Sequence, residues 1–269
     1  MLRSTRARAL LIVGVLAASG SFVASATAGG PVATHVDGGL GARWAAQGDL
    51  APAAGSAIAA PSRGHGSTVA RIVAPTRARP RLASRRRGWR VGTQTSWSHH
   101  DQVLLVLDSA TRNDREWIKV LLAIRPTGTV GWIRRERVQL RRTRYWVAIR
   151  TAARRVVVYR GGERLRRFRA VVGAAATPTP RGLAAIYERN RQPDPHAFLG
   201  PWALSLTAVS EVLEDFGGGP GRVAIHGRAG ASLADPLGSA RSHGCIRINN
   251  GAIRYLARKV PVGAPVKIS

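Results

Sequence analysis

A single cysteine, Cys245, sits in the run Ser242-His243-Gly244-Cys245-Ile246-Arg247, and a second histidine opens His226-Gly227 nineteen positions upstream. A thiol, two imidazoles and flanking arginines are the parts of nucleophilic acyl transfer. A free thiol titrates near 8.5, and an imidazole within reach, with guanidinium charge from Arg241 or Arg247, favours the thiolate. Either histidine can serve as the base, and spacing does not choose between them. The other ring nitrogen of that base needs an orienting partner; Asp235 is the one acid between the two motifs, and a backbone carbonyl is the alternative. Gly244 lets the chain pass close to a substrate, and the amides of Gly244 and Cys245 are candidate oxyanion donors. Zinc held by His226, His243 and Cys245 is a competing arrangement, weakened by the lack of carboxylate support. Cys245 alone would be read as an inert small hydrophobe; its company carries the catalytic reading.

Several elements must position this group. Val223-Ala224-Ile225 reads as a strand delivering His226, and residues 242–246 as an extended turn on the neighbouring strand, which puts His243 and Cys245 on one face. Residues 145–149, 155–160 and 165–172 are strand-like, the last two joined as a hairpin at Gly161-Gly162. Phe168, Ala170 and Val172 alternate with Arg167 and Arg169, the pattern of a half-buried sheet. Downstream, Asn249 or Asn250 can cap a helix carrying Ile253, Leu256, Ala257 and Val260 on one stripe, stopped by Pro261, before a last strand over 264–268. The breaker-rich stretches between them, Thr177-Pro178-Thr179-Pro180, Pro193-Asp194-Pro195 and Gly200-Pro201-Trp202, predict long functional loops. Residues 217–221 are glycine-rich, but no Gly-Lys-Ser/Thr follows, so they are not a phosphate loop.

These motifs resemble the L,D-transpeptidase catalytic domain of the YkuD family. The likeness rests on His226-Gly227, the interval through Arg241 and Ser242 to Arg247, with support from Val172-Gly173, Leu199-Gly200-Pro201-Trp202 and Phe216-Gly217-Gly218-Gly219-Pro220-Gly221. Arg228 departs from it, standing where the family often has a small hydroxyl residue, as does Gly182-Leu183-Ala184, which replaces a more aromatic strand. The resemblance implies a mainly β, YkuD-like β-sandwich with a few short helices over residues 143–269, acting without cofactor or metal on peptidoglycan stem peptides. It implies that Cys245 attacks the third-residue carbonyl of a tetrapeptide stem, expels D-alanine and forms a thioester. An amine of another stem's diamino acid then resolves it as a 3→3 cross-link. In that scheme His226 is the proton donor and acceptor, oriented by the Gly227 carbonyl; His243 is auxiliary, and Ser242, Gly244 and Arg247 serve the oxyanion or substrate. Two alternatives stand beside it: water as acceptor, giving an L,D-carboxypeptidase, and a non-catalytic basic envelope-binding protein.

The chain of 269 residues has 42 Lys+Arg against 14 Asp+Glu, a formal charge of +28. One cysteine excludes an intrachain disulfide framework, and the absence of a long uninterrupted apolar run excludes a polytopic membrane protein. Residues 1–28 have the layout of a signal peptide or N-terminal anchor: Arg3, Arg6 and Arg8, an apolar run, then small residues. Export to the envelope side of the cytoplasmic membrane follows as an expectation, and it argues against nucleic acid as a partner. Residues 29–87 read as a disordered Ala/Gly/Pro/Arg-rich linker. Its closing cluster, Arg77 to Arg87, reads either as an attraction to anionic envelope polymers or as bare composition. Residues 88–141 show three short β-type runs with turn signals at Asp108-Ser109, Asn113-Asp114 and Pro126-Thr127-Gly128. With Trp117 and Gly131-Trp132-Ile133 they resemble a small all-β SH3-like domain. A monomer is expected.

Overall fold

Short aliphatic runs separated by tight turns set the architecture. The computed structural model describes residues 55–212 and 221–269; the expected signal peptide or anchor, 1–28, lies outside them. The first sheet is built from β1 (Ser67–Ile72), β4 (Val103–Arg112), β5 (Arg115–Leu121), β6 (Val130–Arg134) and β7 (Val138–Thr143), in the order β6-β5-β4-β1-β7. A small pair, β2 (Thr76–Ala78) and β3 (Trp89–Val91), joins its edge where Arg79 and Trp132 exchange two main-chain hydrogen bonds of 2.8 Å. Ala70, Ile72, Leu104, Val106, Ile118 and Ile133 fill its core.

Two expectations are corrected here. The disordered linker does not run to Arg87, because β1 is a buried strand paired to both β4 and β7. A six-residue strand covered on both faces shows no alternation, so its Ala-, Ser- and Arg-containing sequence hid it. Asp108-Ser109 is not a turn either: the chain continues through β4, whose pairing with β5 shifts register between Val106 and Asp108. The turn is Asn113-Asp114, where both residues take positive φ, 52° and 53°, as a two-residue hairpin connection requires.

The second sheet comprises β8 (Tyr145–Arg150), β9 (Arg155–Arg160), β10 (Glu163–Arg169), β12 (Gly182–Arg191), β13 (Trp202–Val209), β14 (Arg222–His226), β16 (Ile246–Arg247) and β17 (Pro265–Ile268). Their order is β10-β9-β8-β17-β12-β13-β14-β16. A parallel pair, β11 (Val172–Gly173) with β15 (Ala240–Ser242), flanks it. Gly161 and Gly162, at φ 58° and 89°, close the β9–β10 hairpin. The helix α1 (Asn250–Lys259) is capped by Asn249, whose side chain accepts from the Ala252 amide at 2.7 Å. Its Ile253 and Leu256 pack into a core with Ile186, Leu204, Ile225, Ile246 and Ile248. The described residues are thus mainly β, with β10 as an outer edge strand carrying exposed Arg164 and Arg167.

The two sheets are joined by one residue, Arg144, between β7 and β8. Leu105 and Leu121 of the first pack on Ala185 of the second. The β5–β6 loop then grips the end of β13: Thr127 Oγ1 accepts from the Val209 amide at 3.1 Å and donates to the Val209 carbonyl at 2.9 Å. Arg222 Nη1 donates to the Ala123 carbonyl of the same loop at 3.3 Å.

Candidate active site

The strand β14 has Val223 and Ile225 in the core and ends on His226, which is 1% exposed. It pairs in parallel with β16, Ile225 opposite Ile246 and His226 opposite Arg247, so the histidine and the cysteine turn arrive on neighbouring strands. Beyond His226 the chain passes under α1. A Cβ on Gly227 would lie 2.5 Å from Asn250 Oδ1 and 2.9 Å from Pro201 Cδ, so only glycine fits. The Asn250 side chain holds the next residue at both ends, accepting from the Arg228 amide at 2.8 Å and donating to its carbonyl at 3.0 Å. In this clamp the Gly227 carbonyl accepts from His226 Nδ1 at 2.8 Å. A carbonyl can only accept, which assigns the proton of the neutral ring to Nδ1.

The cysteine turn is braced from within and from below. Ser242 Oγ donates to the Cys245 carbonyl at 2.6 Å and accepts from the Gly244 amide at 3.2 Å. Thr177 Oγ1 donates to the Ser242 carbonyl at 3.1 Å and Thr179 Oγ1 to the Gly244 carbonyl at 2.9 Å. Gly244, at φ 106°, breaks the extended geometry, so His243 and Cys245 are not related by a strand pleat. With its amide engaged by Ser242, Gly244 is no longer an oxyanion donor, and the Cys245 amide is left from the expected pair.

Cys245, His226, His243 and Arg247 line one cavity of about 310 Å³, closed by Phe198 and Leu199. Cys245 is half-buried and His243 exposed, whereas Arg247 is buried at 4%. Its guanidinium lies 4.8 Å from the Phe198 ring centroid and pairs with Asp235. Asp235 therefore serves Arg247 and does not orient a histidine. Arg241 is exposed and does not line the cavity.

Burial, then the Arg247 charge, pull His226 down to about 4 against the Gly227 and Leu199 carbonyls, which favour the charged ring. Burial likewise pushes the Cys245 thiol up, opposed by a hydrogen bond from the Ala224 backbone and by Arg247. The resting pair at neutral pH is a neutral thiol beside a neutral imidazole. A thiolate formed in advance, which the sequence favoured, does not match a cavity this apolar: desolvation outweighs the one nearby guanidinium.

Phe198, Leu199 and Asn250 were not singled out from sequence as site residues. The first two sit in a loop, where apolar residues show no period, and Asn250 competes with Asn249 for the more obvious role of helix cap.

Residues 144–268 match the family model YkuD, L,D-transpeptidase catalytic domain. A protein of Bacillus licheniformis named as a YkuD L,D-transpeptidase is 33% identical over 125 residues, which are 46% of this chain and 66% of that one. The chain thus spans just under two thirds of that relative's length. Among solved structures, an L,D-transpeptidase from Mycobacterium smegmatis is 17% identical, covering 62% of this chain and 90% of the other, with a TM-score of 0.37. One from Mycobacterium tuberculosis H37Rv is 15% identical with the same coverage and a TM-score of 0.39. The clamped histidine, the cysteine turn and the matched model fall on the same stretch, and residues 144–268 of this chain are similar to the YkuD family of L,D-transpeptidase catalytic domains.

Proposed function

We infer that this chain is an exported peptidoglycan L,D-transpeptidase that makes 3→3 cross-links through a Cys245 thioester. The observation that carries the reading is the neutral His226, its Nδ1 held by the Gly227 carbonyl, lining the same cavity as the half-buried Cys245 thiol. His226 Nε2 takes the thiol proton as the sulfur attacks the third-residue carbonyl of a stem tetrapeptide. The Cys245 amide meets the oxyanion, and His226 returns the proton to the departing amine of D-alanine. An amine from a second stem then attacks the thioester and yields its proton to His226, and the sulfur leaves and is reprotonated. Because an imidazolium is unfavourable at this buried position, the proton moves with the attack and not before it, so the thiol stays quiet until an acyl group arrives. On this reading Arg247, held by Asp235 and lying over Phe198, contributes positive charge to the cavity that takes the stem, and Ser242 braces the turn. The envelope side of the membrane is the site of action, in keeping with the leader-like layout of residues 1–28.

Intact mass after exposure to a carbapenem tests the nucleophile: one covalent adduct is expected, absent in Cys245→Ala. No adduct on the parent chain would favour a non-catalytic envelope-binding protein. Purified stem tetrapeptide then tests the acceptor, since cross-linked dimer with released D-alanine supports transpeptidation and tripeptide alone supports an L,D-carboxypeptidase.

A further inference from the structure

The first sheet carries a second concavity, of about 430 Å³, whose lining includes Arg77, Arg79, Arg90, Arg134, Arg137 and Trp117. These arginines come from separate segments that the fold brings together. Arg77 and Arg90 stand directly opposite each other in the β2–β3 pair. Like charges directly opposite across a ladder repel. Arg79 and Arg134 lie over the Trp117 ring, at 5.3 and 5.5 Å from its centroid. The one carboxylate in the lining, Glu136, sits 3.4 Å from Arg134 and 3.9 Å from Arg137, and cannot balance five guanidinium groups.

Other features make this more than a charged surface. Arg77 is held by the Gly88 carbonyl at 3.2 Å and Arg79 by the Ser84 carbonyl, so two of the cations are pre-positioned. Trp117 is 4% exposed, and its Nε1–H, shut off from solvent, has no partner among the described residues. The loop from β2 to β3 adds exposed Arg81, Arg85, Arg86 and Arg87 beside the concavity.

We propose that this concavity binds a phosphodiester-linked polyol polymer of the cell wall, one phosphate in the cluster and its neighbours along the β2–β3 loop. Guanidinium forks match phosphate oxygens in pairs, and a bound phosphate relieves the Arg77–Arg90 repulsion. Nucleic acid is disfavoured because the Trp117 ring is covered by guanidinium groups, leaving no bare aromatic face in the concavity for a base to stack on. The site needs neither Cys245 nor His226; only the wall as the source of its ligand rests on the transpeptidase reading.

The test is binding of a synthetic glycerol-phosphate hexamer to the full chain by calorimetry across a salt series. Arg90→Glu with Arg137→Glu, both at exposed positions, is expected to weaken binding roughly tenfold or more and to flatten the salt slope by about 0.7 per lost contact. Arg150→Glu with Arg154→Glu, at the β8–β9 end of the second sheet, is expected to change affinity far less. Carbapenem acylation of Cys245 should be unchanged in both pairs, which certifies the fold and separates this proposal from the transpeptidase reading. Equal loss in the two pairs, or equal affinity for a poly-glutamate of the same charge, would reduce the effect to net charge and overturn the proposal. Tighter binding of a single-stranded DNA hexamer at the same residues would overturn it in favour of nucleic acid.

Discussion

At His226 the neighbouring carbonyls favour the charged ring, and burial overrides them. A histidine in the unfolded chain takes up its proton near 6.5, whereas the folded one does so at about 4. Between these values the unfolded state binds more protons, so stability is complete above about 6.5 and drains away as the pH falls toward 4. The whole effect is about 3 kcal/mol, and urea melts across this range should show an acid limb that flattens in His226→Asn. The rate of acylation by a carbapenem should fall about 10²- to 10⁴-fold in His226→Ala, the usual range for a lost proton acceptor. His243→Ala, at an exposed position on the cavity rim, should lose far less; the reverse order would move the base to His243. That Cys245, His226 and His243 would line one cavity was legible from their motifs, whereas the exclusion of Arg241 from it and the engagement of Asp235 with Arg247 were not. The protonation of Cys245 and His226 was not legible either, because it depends on how apolar the cavity is, and Phe198 and Leu199 are contributed by a loop without a pattern.

The elements that hold these residues differ in how openly they announce themselves. The β9–β10 hairpin was plain in Gly161-Gly162, and the stripe of α1 in Ile253, Leu256 and Ala257, because local periodicity and turn chemistry fix both. The strand β1 was not, for want of alternation, and neither was the division of labour between Asn249 and Asn250. Asn249 starts the helix; Asn250 ties that helix to the residue after Gly227. Asn250→Ala removes both bonds to Arg228 and frees the segment that carries the orienting carbonyl. It is expected to lower stability by about 1–3 kcal/mol and to slow acylation while leaving the cavity walls in place. Thermal melts paired with acylation kinetics check this, and an unchanged rate at reduced stability would make the clamp purely structural.

At the scale of the described residues, the first sheet braces the wall of the cavity that holds Cys245 and His226. Arg222 lines that cavity, stacks at 4.5 Å on the Tyr187 ring and donates to Ala123 in the loop that Thr127 pins to Val209. Thr127→Val keeps the volume and deletes both hydrogen bonds, each worth about 1 kcal/mol. On the proposed mechanism the saturation constant for carbapenem acylation should rise with the limiting rate little changed, since His226 ends β14 and Cys245 sits in the turn before β16, while the altered contact lies at the wall. With only Arg144 between the sheets, such a brace can be stiff. The outer strand β10 has a consequence for the protein in company with its copies. Its guanidinium groups at Arg164 and Arg167 fence the open rim of the eight-stranded sheet, so a strand from another molecule that tried to dock there would meet charge repulsion before it met a free amide. A crowded solution of this chain is thereby steered away from edge-to-edge stacking and fibril growth.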